Sequence, residues 1–102
     1  MPAGNSVRPG KWSKVTDLYD DGKYSAIWGC YNKRTENCLG VRWNGNEDQG
    51  YPNQGNNPLW YVEPEFLTKY ILLELLHKVN KDPSLGVIGN ILSALKKYPN
   101  SI

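Results

Sequence analysis

The sequence predicts an α+β fold in which a three- to four-stranded antiparallel sheet is followed by two C-terminal helices packed on one face. Up to about residue 62, β-prone and alternating apolar residues form short runs separated by turn residues, which is typical of strands. Beyond that point, apolar residues recur every three or four positions, which is typical of helices. Strands that come first and helices that come last favour an antiparallel sheet covered by helices on one side.

The first predicted strand spans residues 11–19, where Trp12 and Val15 are β-prone. It ends at Asp20-Asp-Gly22, because an Asp-Gly pair supports the positive φ angles of a tight turn. The second predicted strand, residues 24–32, follows this turn directly. The two runs therefore indicate a first antiparallel hairpin.

The third predicted strand spans residues 38–43, and the polar segment 33–37 joins it to the second. We place the centre of this hairpin near Arg34 or Thr35, and that centre determines which side chains share a face. The core face would then carry Ile27, Tyr31, Leu39, Val41 and Trp43. The opposite face would carry Trp28, Cys30, Cys38 and Arg42.

A short fourth strand is predicted at residues 59–62, and Glu63-Pro-Glu65 then opens a helix. Pro suits the first helical turn, and acidic residues complement the positive end of the helix dipole. The predicted apolar stripe of this helix is Phe66, Leu67, Tyr70, Ile71, Leu75 and Val79. Three further leucines widen the apolar surface beyond what one sheet needs, namely Leu72, Leu73 and Leu76. The second predicted helix could cover these leucines within the monomer, but we expect it to do so only in part, and the remainder favours a homodimer.

Residues 80–83 break the first helix, and Asp82 is expected to cap the second. The second helix ends at Tyr98-Pro99, and its apolar stripe is Ile88, Ile91, Leu92 and Leu95. Gly86 and Gly89 lower its intrinsic stability by roughly 1 kcal/mol each relative to Ala. We expect them to allow a neighbouring backbone to approach closely.

The 102 residues are expected to form one domain at residues 11–102 behind a flexible N-terminal tail at residues 1–10. A net charge of +2 does not by itself predict a polyanionic partner. No apolar stretch is long and uncharged enough to predict a membrane span, and the polar N-terminal segment lacks the apolar centre of a signal peptide. We therefore expect a cytoplasmic protein without membrane contact, in which Cys30 and Cys38 stay reduced.

Residue types that carry catalysis are sparse in this chain. His77 is the only histidine, and two cysteines that lie eight residues apart form no close ligand pair. A catalytic triad, a zinc site and a phosphate-binding loop all need patterns that this sequence does not supply. We predict no catalytic residue, no metal site and no cofactor. A small hydrolase built on loop carboxylates is the remaining enzymatic alternative.

The segment most typical of a binding surface is the loop at residues 44–58, which is rich in Gly, Asn, Gln and Pro and flanked by aromatic residues. Rings next to carboxylates suit an organic cation through cation–π attraction. The predicted ligand-binding residues are Trp43, Glu47, Asp48, Tyr51, Trp60 and Tyr61. Their ligand would be a small molecule, which the carboxylates favour as a cation, or a protein partner. The alternative is that Trp43 and Trp60 belong to the core and the loop covers them.

A second hypothesis is a nucleic-acid-binding accessory factor. Strands followed by a helix occur in sheet-type DNA readers, and an outer sheet face would join a stacking ring to positive charges. That face would consist of Trp28, Lys33, Arg34 and Arg42. The mild net charge and the acidic loop argue against it, because nucleic-acid readers usually carry a strong basic stripe.

Three segments carry a resemblance to a known group of proteins: Leu39-Gly-Val-Arg-Trp-Asn-Gly45, Gly50-Tyr-Pro52 and Pro58-Leu-Trp-Tyr-Val-Glu-Pro64. They resemble small uncharacterised bacterial proteins carried on mobile elements, including integron gene cassettes. The resemblance implies a bacterial, cytosolic accessory protein that is often oligomeric. It implies no catalytic residue and no mechanism.

Overall fold

Strands precede helices along the chain, as the sequence predicts. The computed structural model describes residues 11–45, 50–54 and 57–98. The strands are β1 (Trp12–Asp20), β2 (Tyr24–Tyr31), β3 (Asn37–Trp43), β4 (Asn53–Gln54), β5 (Asn57–Pro58) and β6 (Tyr61–Val62). The helices are α1 (Glu65–Lys81) and α2 (Ile88–Leu95), with a short 3₁₀ helix at Pro83–Leu85 between them. The main sheet is antiparallel in the order β1-β2-β3-β6, and β4 pairs with β5 apart from it. The predicted α+β fold is therefore confirmed.

The register of β2 against β3 differs from the prediction. The chain reverses through Asn32 and Lys33, whose φ angles are 52° and 67°, and Arg34 N–H donates to the carbonyl oxygen of Tyr31 at 3.0 Å. Two successive residues with positive φ form the left-handed turn that matches the twist of a hairpin. The predicted centre near Arg34 or Thr35 is wrong by about one residue, which is enough to move one strand's side chains to the other face.

The corrected register divides the predicted core face in two. Trp28 lies opposite Leu39 and Ala26 lies opposite Val41, and all four are buried against the helices. Ile27 instead packs with Trp60 on the other side of the sheet. The helix-facing core consists of Leu18, Tyr19, Ala26, Trp28, Leu39, Val41, Leu72, Leu75, Val79, Ile91 and Ala94. The sheet thus has apolar clusters on both faces.

The two cysteines also occupy positions other than those predicted. Cys30 pairs with Asn37 across the hairpin, whereas Cys38 pairs with Gly29. This offset of one residue places the thiols on opposite faces, because side chains alternate along a strand. Both thiols are buried and free, and Cys30 Sγ lies 3.2 Å from Asn37 Oδ1.

Helix α1 packs on the sheet through a stripe that overlaps the predicted one only in part. Leu75 and Val79 are buried as predicted, and Ile71 packs against the core. The buried residues of the helix are Thr68, Leu72, Leu75 and Val79. Phe66, Leu67 and Tyr70, which the prediction placed in the core, are exposed. Both stripes have the spacing of three and four that marks an amphipathic helix, so periodicity alone did not separate them. The excess apolar surface is present, but it lies on the Phe66 and Tyr70 side.

The segment between the helices runs along the edge of β1 instead of opening α2. Asp82 Oδ1 accepts hydrogen bonds from the Ser84 backbone N–H at 3.1 Å and from its hydroxyl at 2.7 Å, so it caps the 3₁₀ helix. Gly86 and Val87 are then extended, and Val87 N–H donates to the carbonyl oxygen of Leu18 at 3.0 Å. This contact delays the start of α2 to Ile88.

The two glycines of this region provide a matched test of the fold. A Cβ atom at Gly86 would overlap the carbonyl oxygen of Leu18 and lie 2.9 Å from Val79 Cγ2, whereas nothing lies within 4 Å of a Cβ atom at Gly89. The expected close approach is thus confirmed at Gly86 and wrong at Gly89. We predict that Gly86→Ala lowers the free energy of unfolding by about 2 kcal/mol through overpacking. Gly89→Ala should raise it by up to about 1 kcal/mol, since Ala favours the helix.

Urea unfolding of both variants and the wild-type protein measures these changes. Equal effects of the two substitutions would contradict the contact between Gly86 and β1.

Candidate functional site

The residues predicted to bind a ligand do not all come together. Trp43, 57% exposed, lies on the helix side of the sheet with Tyr51 and Tyr61 also exposed nearby. Trp60 is only 6% exposed and packs on Ile27 at the opposite face. Here the alternative interpretation of Trp60 as a core residue is confirmed. Two further predicted residues, Glu47 and Asp48, lie outside the described residues.

A buried arginine positions the chain that returns toward Trp43. Arg42 is buried, and its Nη1 donates to the carbonyl oxygens of Leu59 at 2.7 Å and Pro52 at 3.4 Å. Burial lowers the pKa of this guanidinium from its usual value. Next to it, Trp43 and Tyr51 exchange two backbone hydrogen bonds of 2.7 and 2.8 Å. Arg42 thus holds Pro52 and Leu59 together. Pro52 directly follows Tyr51, which lies beside Trp43.

The predicted nucleic-acid face is not a single surface in this structure. Trp28 is buried among the helix-facing core residues, and Arg42 is buried on the other side of the sheet. Only Lys33 and Arg34 are exposed, and both belong to the turn between β2 and β3. The prediction that Trp28 and Arg42 share an outer face is wrong because it rests on the incorrect hairpin centre.

A groove lies between α1 and the sheet, beside the ring of Trp43. We call it the Tyr24–Trp43 groove, and its volume is about 450 Å³. Its apolar wall is formed by the α1 side chains Leu67, Ile71 and Leu75, and the ring of Tyr70 lies in the same wall. A second cavity of about 210 Å³ also borders Tyr24 and Trp43 and includes Tyr51, Tyr61 and Glu63. The two rings therefore stand between two concave surfaces.

Tyr24 and Trp43 form the aromatic centre of the groove. They are cross-strand partners in β2 and β3, and their ring centroids lie 4.7 Å apart with an interplanar angle of 63°. This edge-to-face arrangement is favourable and leaves one ring's face open to other groups. On α1, Lys69 Nζ lies 4.9 Å from the ring centroid of Tyr70, a contact between a cation and an aromatic ring.

Carboxylates border the groove next to the rings. Burial acts to raise the pKa of Asp21, but hydrogen bonds from the N–H groups of Tyr24 and Lys23 and from the Tyr19 hydroxyl outweigh it and lower that pKa. These bonds are 2.8, 2.8 and 3.1 Å long. Asp21 is therefore ionised at neutral pH. Glu74 supplies a second carboxyl group at the groove, and Lys78 an ammonium group.

Sequence reasoning missed the α1 side of this site. Tyr24 joins Trp43 only with the correct hairpin register, and Leu67 and Tyr70 were assigned to the core. One signal was present in the sequence: α1 carries more apolar residues than one stripe holds. Some of these extra apolar residues of α1 line the groove, so the surface around Trp43 continues onto this helix.

Other kinds of site find little support in the described part of the chain. Residues 11–45, 50–54 and 57–98 contain no group of three or more His, Cys, Asp or Glu side chains that could hold a metal ion. None of the helices within these ranges has the length and apolar character needed to cross a membrane. Comparison of the chain with protein-family models, curated proteins and solved structures finds no match. The relationship to integron cassette proteins stays a prediction.

The tyrosines at the groove give a prediction about alkaline pH. Burial raises the pKa of Tyr24 to about 12, with a smaller contribution from Glu63, and burial together with Asp21 raises that of Tyr19 to about 12. Both folded-state values exceed the ordinary value of 10.0, so this contribution to stability is complete below pH 10 and is lost as the pH rises toward about 12. We expect Tyr24→Phe to make the loss of stability over this interval less steep.

Ultraviolet absorbance of the phenolate measures the ionisation directly in the folded protein. Tyr24→Phe should reduce by one the number of tyrosines that ionise well above pH 10. If the substitution instead removes a tyrosine that ionises near pH 10, the burial of the Tyr24 hydroxyl is contradicted.

Proposed function

We propose that this protein is a non-enzymatic binding protein that holds a small organic cation in the Tyr24–Trp43 groove. The proposal rests mainly on the exposed ring of Trp43, which packs edge-to-face on Tyr24. This ring lies at a groove bordered by the carboxylates of Asp21 and Glu74. Ligand sites commonly have volumes of roughly 300–1,000 Å³. The groove, at about 450 Å³, has room for a small organic molecule.

Charge and ring chemistry both favour a positive ligand. The face of an aromatic ring attracts a cation by roughly 0.5–2 kcal/mol, depending on how well the cation is desolvated. Asp21 and Glu74 add negative charge, and Lys78 is the one basic residue among the described residues of the groove. Within the chain, Lys69 already makes such a contact with Tyr70. A ligand with a positive charge and an apolar body would match both the rings and the leucine wall.

The composition of the groove supports binding over catalysis. Its described residues include no Ser, Cys or His, so it lacks the usual pairing of a nucleophile with an imidazole base. The burial of Trp28 and Arg42 gives no support to the alternative of nucleic-acid binding. We place the protein in the cytoplasm, where the free thiols of Cys30 and Cys38 would stay reduced.

A pair of isosteric probes tests the proposal. Benzyltrimethylammonium and neutral neopentylbenzene have the same shape, and only the first carries a charge. Of the four tryptophans, Trp28 and Trp60 are buried and the half-buried Trp12 does not line the groove, so a probe in the groove should change tryptophan emission mainly through Trp43. We expect a saturable change with the cation and an affinity about tenfold higher than that of the neutral probe.

Two charge-neutralising variants act as the test and its control. Glu74→Gln should weaken binding of benzyltrimethylammonium several-fold and leave the neutral probe unaffected, because it removes a negative charge at the groove and keeps the size of the side chain. Glu36→Gln lies in the exposed β2–β3 turn and should change neither affinity. Equal affinity for both probes would refute the preference for a cation, and unchanged emission with either probe would refute the groove as the site.

A further inference from the structure

Helix α1 has a second stripe of large side chains on the side that faces away from the sheet. It consists of Phe66, Tyr70, Leu73 and His77, spaced by four, three and four residues. The buried stripe of Thr68, Leu72, Leu75 and Val79 has the same spacing. In the outer stripe Phe66 is 76% exposed, Tyr70 58% and Leu73 40%. One stripe packs on the sheet, and the other belongs to neither core cluster of the described residues, although Tyr70 at its edge also borders the Tyr24–Trp43 groove.

The spacing of the outer stripe is that of a coiled-coil seam. In a heptad written a to g, apolar residues at a and d alternate at separations of three and four and face a partner helix. Phe66 and Leu73 then occupy d positions, and Tyr70 and His77 occupy a positions. The buried residues fall at c and f, on the opposite side of the helix, so both packings are compatible in one molecule.

We propose that a second copy of this chain covers the outer stripe, with the two α1 helices parallel and in register about a two-fold axis. Phe66, Tyr70 and Leu73 of each copy would meet the same residues of the partner. A self-matching surface of this kind is what a two-fold interface requires. Pairing would remove three large exposed side chains from water.

Charges beside the stripe favour the parallel arrangement. In a parallel pair, the residue at g contacts the residue at e of the partner, five positions further along. Lys69 is at g and Glu74 is at e, so each Lys69 would face the partner's Glu74, and symmetry provides this contact twice. In an antiparallel pair, g faces g and e faces e. Lys69 would then lie against the partner's Leu76, and Glu74 against the partner's Leu67. Only the parallel arrangement pairs opposite charges.

The proposed pairing can be tested separately from ligand binding, because Phe66 and Leu73 do not line the groove. Sedimentation velocity at micromolar concentration should show a dimer for the wild-type chain. Leu73→Ser and Phe66→Ser should each raise the dissociation constant by about tenfold or more, since each removes exposed apolar surface from the interface. Leu92→Ser, at an exposed position of α2, is the matched control and should leave the dimer unchanged.

A charge exchange tests the orientation of the helices. Lys69→Glu places like charges together in a parallel dimer and should raise the dissociation constant by about tenfold. The double variant with Lys69→Glu and Glu74→Lys restores opposite charges and should return the constant to near the wild-type value. Circular dichroism should show that every variant stays folded, because the substituted positions do not lie in the core.

Three outcomes would overturn the proposal. A wild-type monomer at micromolar concentration would refute the proposed dimer. A dimer that Leu73→Ser and Phe66→Ser leave intact would place the interface elsewhere. A double variant no tighter than Lys69→Glu alone would exclude the parallel arrangement.

Discussion

The register of β2 against β3, in the hairpin that reverses at Asn32 and Lys33, is the constraint on which the rest of the structure depends. Because side chains alternate along a strand, this register puts Trp43 on the helix side of the sheet and Arg42 on the opposite side. A shift of one residue would bring the guanidinium toward the apolar core beneath α1. The cost of burying a charged group without partners makes that register unfavourable.

Arg42 links this register to the shape of the surface around Trp43. Its burial needs acceptors, and the carbonyl oxygens of Pro52 and Leu59 provide them. The chain therefore folds back over the guanidinium, and it brings Tyr51 to Trp43 and Trp60 to Ile27. Of two tryptophans that flank the same loop, one consequently completes a core and the other borders a groove. Both outcomes follow from a single buried charge and its hydrogen bonds.

The sequence contains enough information for the fold class, because strand runs, turn residues and helix periodicity are local patterns. The hairpin at Asp20-Asp-Gly22 is an example, since Gly22 has the positive φ that the turn requires. The site depends on non-local choices that such patterns do not resolve. Asn32 tolerates a positive φ, but Lys33 gives no signal for the left-handed turn, and α1 has two stripes with equivalent spacing. The side that packs on the sheet is decided by Trp28, Leu39 and Val41, which share a face only in the correct register.

The most direct test of this account is nuclear Overhauser spectroscopy on the protein with and without benzyltrimethylammonium. We expect contacts between the rings of Tyr24 and Trp43 in the free protein, and contacts from the N-methyl protons of the cation to Trp43, Tyr24 and Tyr70 in the complex. Contacts from Ile27 to the side chains of Val41 or Trp43 would show that β2 and β3 pair in a register shifted by one residue, and they would contradict the account. N-methyl contacts confined to residues outside the Tyr24–Trp43 groove would contradict the proposed site.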